Sequence, residues 1–137
     1  MKTKEIKKVS KNRIGRISKN GVKPEPNEDN TFNYLALYGF DIELIKPTRT
    51  KKVKNPDVLI MGAVWEVKTP ISSNKNTIKN RFREAADQAS KVIFDLRNIR
   101  NGADEAEKQI IELFKGNGKV RRMIVIEKSG KLLDFIK

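Results

Sequence analysis

Cysteine is absent from this 137-residue chain, and so is histidine. The first absence excludes a disulfide framework, a thiolate metal site and a cysteine nucleophile. The second excludes a histidine-based catalytic triad, a two-histidine ribonuclease mechanism and a typical histidine-ligated zinc site. Long apolar runs are missing as well: the longest, VLIMGAVW, has eight residues, far short of the ~20 that a membrane-spanning helix needs. The basic start MKTKEIKKVSKN is followed by no apolar segment, so it does not read as a secretory signal. Any catalysis is left to carboxylates, Lys, Arg, Ser, Thr, Tyr or a metal held by oxygen ligands.

Acid is scarce too. Seventeen Asp and Glu stand against thirty Lys and Arg, which gives +13 and a pI near 10.0. Such an excess favours a polyanionic partner, nucleic acid first, with an acidic protein or an anionic membrane surface as competitor. Residues 1–23 hold nine of the basic residues against Glu5 alone, a net +8. They read as a basic N-terminal arm, partly disordered or contacting phosphates, ahead of one folded domain over 24–137.

Within that domain KPEPNEDN punctuates the chain, and Asn27 is placed to cap a helix that begins at Glu28. Glu28, Phe32 and Leu35 share the face of this helix that packs inward. FDIELIK (40–46) alternates Phe40, Ile42 and Leu44 inward as a strand. NPDVLIMGAVWEVKTP (55–70) reads as a hairpin about a Gly62-Ala63 turn. Helical spacing of Ile78, Phe82, Ala85, Ala89, Val92 and Leu96 predicts a helix over 77–96. A third helix follows Asn101-Gly102, with Ala106, Ile110, Leu113 and Phe114 inward, and a closing hairpin turns at Ser129-Gly130. The expected order is α-β-β-β-α-α-β-β, an α/β sandwich of one domain.

The hairpin carries the chemistry. In the expected register Met61 faces Val64, Leu59 faces Glu66 and Asp57 faces Lys68, so Asp57, Glu66 and Lys68 emerge on one side while Trp65 joins the core. One reading is structural: a cross-strand ion pair worth ~0.2–1 kcal/mol, with Glu66 at a solvated edge. The other follows from the apolar neighbours, since clustered carboxylates are unfavourable unless a cation neutralises them. Asp57 and Glu66, with the Val67 backbone carbonyl and Glu28 directly or through water, have the composition of a Mg²⁺ site. Lys68 would then either orient or deprotonate the attacking water, or remain charged and stabilise the transition state.

PD, a spacer of eight residues, then E-V-K resembles the signature of the PD-(D/E)xK (restriction-endonuclease-like) nuclease superfamily. The resemblance implies a mixed central sheet flanked by helices, a core of helix, three strands, helix and strand, and an acidic residue on the first helix, where Glu28 stands. More narrowly, VKPEPNEDN, NPDVLIMGAVWEVKTP, IKNRFREAADQASKVIFDLRN and VRRMIVIEKSGKLLDFI resemble the C-terminal tRNase domain of contact-dependent growth inhibition (CdiA-type) toxins. This implies a Mg²⁺- or Mn²⁺-dependent endonuclease cutting tRNA in the bacterial cytoplasm, neutralised by a small acidic immunity protein. A toxin of that kind is usually the tail of a very large exported protein. A chain starting at Met1 is therefore expected to be an excised domain or a standalone relative.

Arg83, Gln88 and Asn80 on the second helix, with Thr69 after the motif, are candidate substrate contacts, as are Arg49, Lys51 and Lys52 ahead of it. Two rival functions remain. One is a DNA endonuclease of the same superfamily, against which no helix-turn-helix follows the core. The other is a non-catalytic basic module that binds nucleic acid.

Overall fold

In a computed structural model of the chain, residues 1–46 and 57–137 are described, Asp57 by its backbone only. The described residues form eight strands and three α-helices, a mixed α/β fold. Their chain order is β1 (Lys2–Ile6), β2 (Ile17–Ser18), α1 (Pro26–Ala36), β3 (Ile42–Ile45), β4 (Asp57–Ile60), β5 (Ala63–Lys68), α2 (Lys75–Gln88), β6 (Lys91–Asp95), α3 (Ala103–Gly116), β7 (Arg122–Ile126) and β8 (Leu132–Ile136). The strands pair in the order β1-β8-β7-β6-β5-β4-β3-β2. The chain divides into two compact units, Lys7–Trp65 and Met1–Ile6 with Glu66–Lys137, the boundary falling inside β5.

In the unit Lys7–Trp65, Pro26 opens α1 at a position where its missing N–H costs nothing. The helix thus starts before the expected Asn27 cap, with Glu25 at the N-cap position and no side-chain cap bond. Phe32 and Leu35 are fully buried, and Glu28, one turn ahead of Phe32, is half-buried. Strand β3 alternates as expected: Ile42 and Leu44 buried, Glu43 and Ile45 exposed. Gly15 lies so close to the Phe40 carbonyl that no Cβ would fit, and its N–H donates to Ala36 O at 2.8 Å. That close approach brings the segment entering β2 alongside the chain leaving α1.

The hairpin register differs from expectation. Val58 pairs with Trp65, Leu59 with Val64 and Ile60 with Ala63. The turn is therefore Met61-Gly62, and both central residues are left-handed, with φ of 54° and 75°. This is type I′ geometry, whose twist matches the flanking strands, and it is adopted although Met61 has no preference for that region. Trp65 is 1% exposed, and its Nε1 donates to Ile60 O at 3.1 Å across the turn. The slip from the expected register is two residues. A shift by an even number preserves which face each side chain takes, so the expectation that Leu59, Glu66 and Lys68 share a face is unaffected.

The unit Met1–Ile6 with Glu66–Lys137 holds the larger correction. The helix expected over 77–96 stops at Gln88, and residues 91–95 form β6, parallel to both β5 and β7. Val92, Ile93 and Phe94 are each 0% exposed, as expected of an inner parallel strand covered on both faces. The apolar residues of such a strand run continuously, so Val92 and Leu96 extended the helical spacing of α2 by coincidence. The element order is consequently β-β-α-β-β-β-α-β-α-β-β. One side of this part is a core of Ile78, Phe82 and Ala85 from α2, Ile110 and Phe114 from α3, and Val92, Phe94, Met123 and Val125 from the sheet. The basic start expected as an arm supplies β1, which pairs antiparallel with β8 from Lys2↔Ile136 to Ile6↔Leu132.

Charged groups in this unit are paired where they are buried. Asp134 and Asp95 are both 0% exposed. Arg122 donates to both oxygens of Asp134, at 3.1 and 2.8 Å, and Arg97 Nη2 meets Asp95 at 2.7 Å. Glu107 on α3 has the opposite surroundings: burial, then a hydrogen bond and the charge of Glu127, with Asp104 adding and Lys131 opposing, push its carboxyl up to about 7. A carboxyl raised in the folded state binds its proton more tightly there than in the unfolded chain. Its stabilisation is therefore complete below about 4.5 and lost as pH rises through about 7. Half-buried and screened by solvent, the group contributes ~1 kcal/mol. Thermal melts between pH 5 and 8 should show Tm falling with rising pH, and Glu107→Gln should flatten that slope; an unchanged slope in the variant would refute the assignment.

Candidate active site

Strand β5 turns Glu66 and Lys68 to one face and Trp65 and Val67 to the other, a consequence of the period-two strand repeat. Val67 is 7% exposed and its backbone lies in the parallel ladder opposite Ile93. Glu66 and Lys68 pair with Val92 and Phe94, two residues of the core face that α2 covers. Their side chains are correspondingly withdrawn from water, at 16% and 14% exposure. Helix α2 begins at a side-chain cap: Asn74 Oδ1 accepts from Asn76 N at 2.9 Å and Thr77 N at 3.3 Å.

Four charged side chains converge there. Lys68 Nζ lies 3.8 Å from Glu66 Oε1 and donates to Glu84 Oε2 at 3.3 Å. Arg81, one turn before Glu84 on α2, donates from Nη1 to both Glu84 oxygens at 3.2 Å. Burial tends to raise the Glu84 pKa, but the hydrogen bond and charge of Lys68, reinforced by Arg81, hold it below the ordinary carboxylate range. The result is an ammonium held between two carboxylates that come from a strand and from a helix.

Neither Glu84 nor Arg81 is among the residues singled out from the sequence. A signal was present: Asn80, Glu84 and Gln88 recur every four residues, which puts all three in one row of α2. Asn80 and Gln88 are exposed within that row, one turn before and one turn after Glu84. Arg83 is not in it. It lines a cavity of about 350 Å³ between α2 and α3, with Phe82, Ala86 and Leu113. Thr69, just beyond β5, is half-buried. Glu28 is half-buried in the first turn of α1. Asp57 opens β4, where alternation puts it on the face of Leu59; its side chain lies outside the described residues, as do Arg49, Lys51 and Lys52.

Among the described residues, no three Asp or Glu side chains gather to hold a metal ion. The donor chemistry around the motif is nonetheless that of a hard cation. Glu66 and the Val67 carbonyl offer oxygen only, and the chain has no imidazole or thiolate to compete. A second cavity, about 330 Å³, opens beside Leu59 and Met61 in the unit Lys7–Trp65, lined also by Arg16, Ser18, Glu43 and Gly62. No helix among the described residues is long and apolar enough to cross a membrane.

Residues 54–132 match the family model described as the contact-dependent growth inhibition CdiA C-terminal domain. The match contains Asp57, Glu66, Lys68, Arg81 and Glu84 and stops short of Glu28. Among solved structures, the chain is similar to a CdiA-CT/CdiI toxin and immunity complex from Burkholderia pseudomallei, at 23% identity and a TM-score of 0.65. The similarity covers 90% of this chain and 100% of that one. No curated protein sequence matches the chain.

Proposed function

The chain belongs to the contact-dependent growth inhibition CdiA C-terminal domain family, and from that premise we propose that it is a metal-dependent endoribonuclease that cuts tRNA. The observation that carries this reading is Lys68, held at 14% exposure between the Glu66 and Glu84 carboxylates on the strand that bears the E-V-K motif. The succession α1, β3, β4, β5, α2, β6 supports it, being the helix, three strands, helix and strand of the PD-(D/E)xK nucleases. So does the charge of +13, which suits a phosphodiester polyanion.

Asp57 and Glu66 would hold Mg²⁺ or Mn²⁺, with the Val67 carbonyl and Glu28 as further oxygen donors. The ion, when bound, supplies Lewis-acid polarisation of the scissile phosphate. The remaining work falls to this chain's own side chains. Lys68 brings a positive charge to the reacting phosphate, where charge develops in the transition state, and its withdrawal from water strengthens that interaction. Asn80 and Gln88, in the row of Glu84, would offer amide hydrogen bonds to the substrate, and Thr69 a hydroxyl. Arg83, on the α2–α3 side, would meet a more distant phosphate, as would Arg49, Lys51 and Lys52.

The similar toxin and immunity complex supports two further parts of the reading: action as a toxin inside a bacterial target cell, and neutralisation by a cognate immunity protein. An acidic immunity protein would complement the chain's charge. The test is incubation of the purified chain with total tRNA and with plasmid DNA, each with Mg²⁺ and with EDTA. Discrete tRNA fragments that vanish with EDTA are expected. Cleavage of DNA alone would replace the substrate, and binding without cleavage of either would replace the enzyme with a basic binding module.

A further inference from the structure

Helix α2 carries cations where a helix is least suited to them. Lys75, Lys79 and Arg83 recur every four residues, so they form one exposed row in which like charges repel. Lys75 opens the helix, and the first turn holds no acid to answer the positive end of the dipole. Among the described residues neither Lys79 nor Arg83 is in an ion pair. The nearby acids are committed elsewhere: Asp87, next in the row, meets Lys119 at 2.9 Å, and Glu112 meets Lys115 at 3.5 Å. Such a row is the footprint of a polyanion. Lys79 and Arg83 also stand at the rim of the α2–α3 cavity of about 350 Å³, whose floor is Phe82, Ala86 and Leu113. Phe82 is buried and backed by the nearly parallel ring of Phe94, 5.9 Å away, which makes the floor firm. The cavity stays open at Gly116, where a Cβ would meet nothing within 4 Å. Its volume is at the low end for small-ligand sites, too little for a helix or strand of a protein partner. A carboxylate side chain would answer the cations but leave the apolar floor wet. A nucleobase answers both, since it has apolar faces and a phosphate on either side.

We propose that the α2–α3 cavity is a nucleobase subsite: it takes one unpaired base of the RNA, while Lys79 and Arg83 hold the phosphates on either side of that base. The proposal rests on the reading of RNA as substrate and adds to it a contact away from the cut bond. Glu84 turns to Lys68 on one flank of α2 and Arg83 to the cavity on the other. The two sites are therefore about a helix width apart, ~10 Å. Only a base outside a duplex can enter the cavity, so the site favours loops, bulges and single-stranded ends over paired stem. An apolar floor takes any base by its face, and the subsite reads strandedness rather than sequence.

The experiment measures binding by the full chain in EDTA, where cleavage plays no part. The probes are a short single-stranded oligoribonucleotide and the same sequence in a duplex. Gly116→Phe and Leu113→Gln fill or wet the cavity without changing charge; Lys79→Ala and Arg83→Ala remove the rim cations. The cavity variants should weaken single-strand binding ~10-fold and leave duplex binding within about twofold, with the salt dependence unaltered. Each cation variant should instead lower the slope of log affinity against log salt by ~0.7. Thermal melts check that both cavity variants are folded, and should one fail, the other decides. Wild-type single-strand affinity in a folded cavity variant would overturn the subsite and leave Arg83 a plain phosphate contact. An equal loss for single strand and duplex would overturn it too. Single-strand binding that depends on the cavity, in a chain that cuts no RNA with Mg²⁺, would keep the subsite and remove the nuclease reading. A chain that binds neither probe overturns the subsite outright.

Discussion

Replacing Glu66 by alanine is expected to abolish tRNA cleavage without unfolding the chain. The side chain is 16% exposed and has Lys68 as a charged neighbour at 3.8 Å. In Glu66→Ala, Lys68 keeps Glu84 as its partner at 3.3 Å, so no cation is stranded. The stability cost should stay below ~1 kcal/mol. Activity should fall by at least ~10²–10³-fold, the loss that follows removal of one preorganised group at a developing charge. Asp57→Ala should behave alike. Circular dichroism melts and EDTA-sensitive tRNA cleavage check the two halves separately, and a variant cutting at the wild-type rate would remove Glu66 from the site.

The largest loss of stability is expected from Arg122→Ala. Asp134 is 0% exposed, and Arg122 supplies hydrogen bonds to both of its oxygens from the adjacent strand, at 3.1 and 2.8 Å. The pairing is mutual: the hydrogen bond to Asp134 raises the Arg122 pKa, against a smaller opposing effect of burial. Without Arg122 the carboxylate is buried and uncompensated, a change that costs ~3–5 kcal/mol. For a chain of this size that is a Tm fall of ~10–20 °C. Changing both residues together, as Arg122→Met with Asp134→Leu, should restore most of the loss, because an apolar pair of similar volume leaves no buried charge. A double variant as unstable as the single one would show that shape, and not charge, is what the site requires.

Sequence patterns exposed the part of the fold where one face is wet. Alternation in β3 and the helical spacing in α1 and α3 were legible because polar residues mark their outer sides. They failed at β6, where both faces are dry and Val92, Ile93 and Phe94 give no contrast. The hairpin turn was misplaced because Gly62 signals a turn without choosing which neighbour joins it, and Met61 carries no mark of its left-handed φ of 54°. At the site, Glu66 and Lys68 were identifiable from a local motif. The Glu84–Lys68 contact spans sixteen residues of chain and depends on the pose of α2 against β5, which no local pattern encodes.

The pairing of β1 with β8 bears on how the molecule is made. Lys2 lies opposite Ile136, so an edge of the sheet is closed by segments from the two extremes of the described chain. A contact of such sequence separation pays a large loop-closure entropy and is rewarded only after the intervening elements are in place. The β1–β8 ladder should thus form late, and folding should be slow for a chain of this length. During synthesis β1 would wait, unpaired and lysine-bearing, until β8 had left the ribosome. Its charges, Lys2, Lys4 and Glu5, are of the kind that disfavours pairing of an exposed edge with a wrong strand.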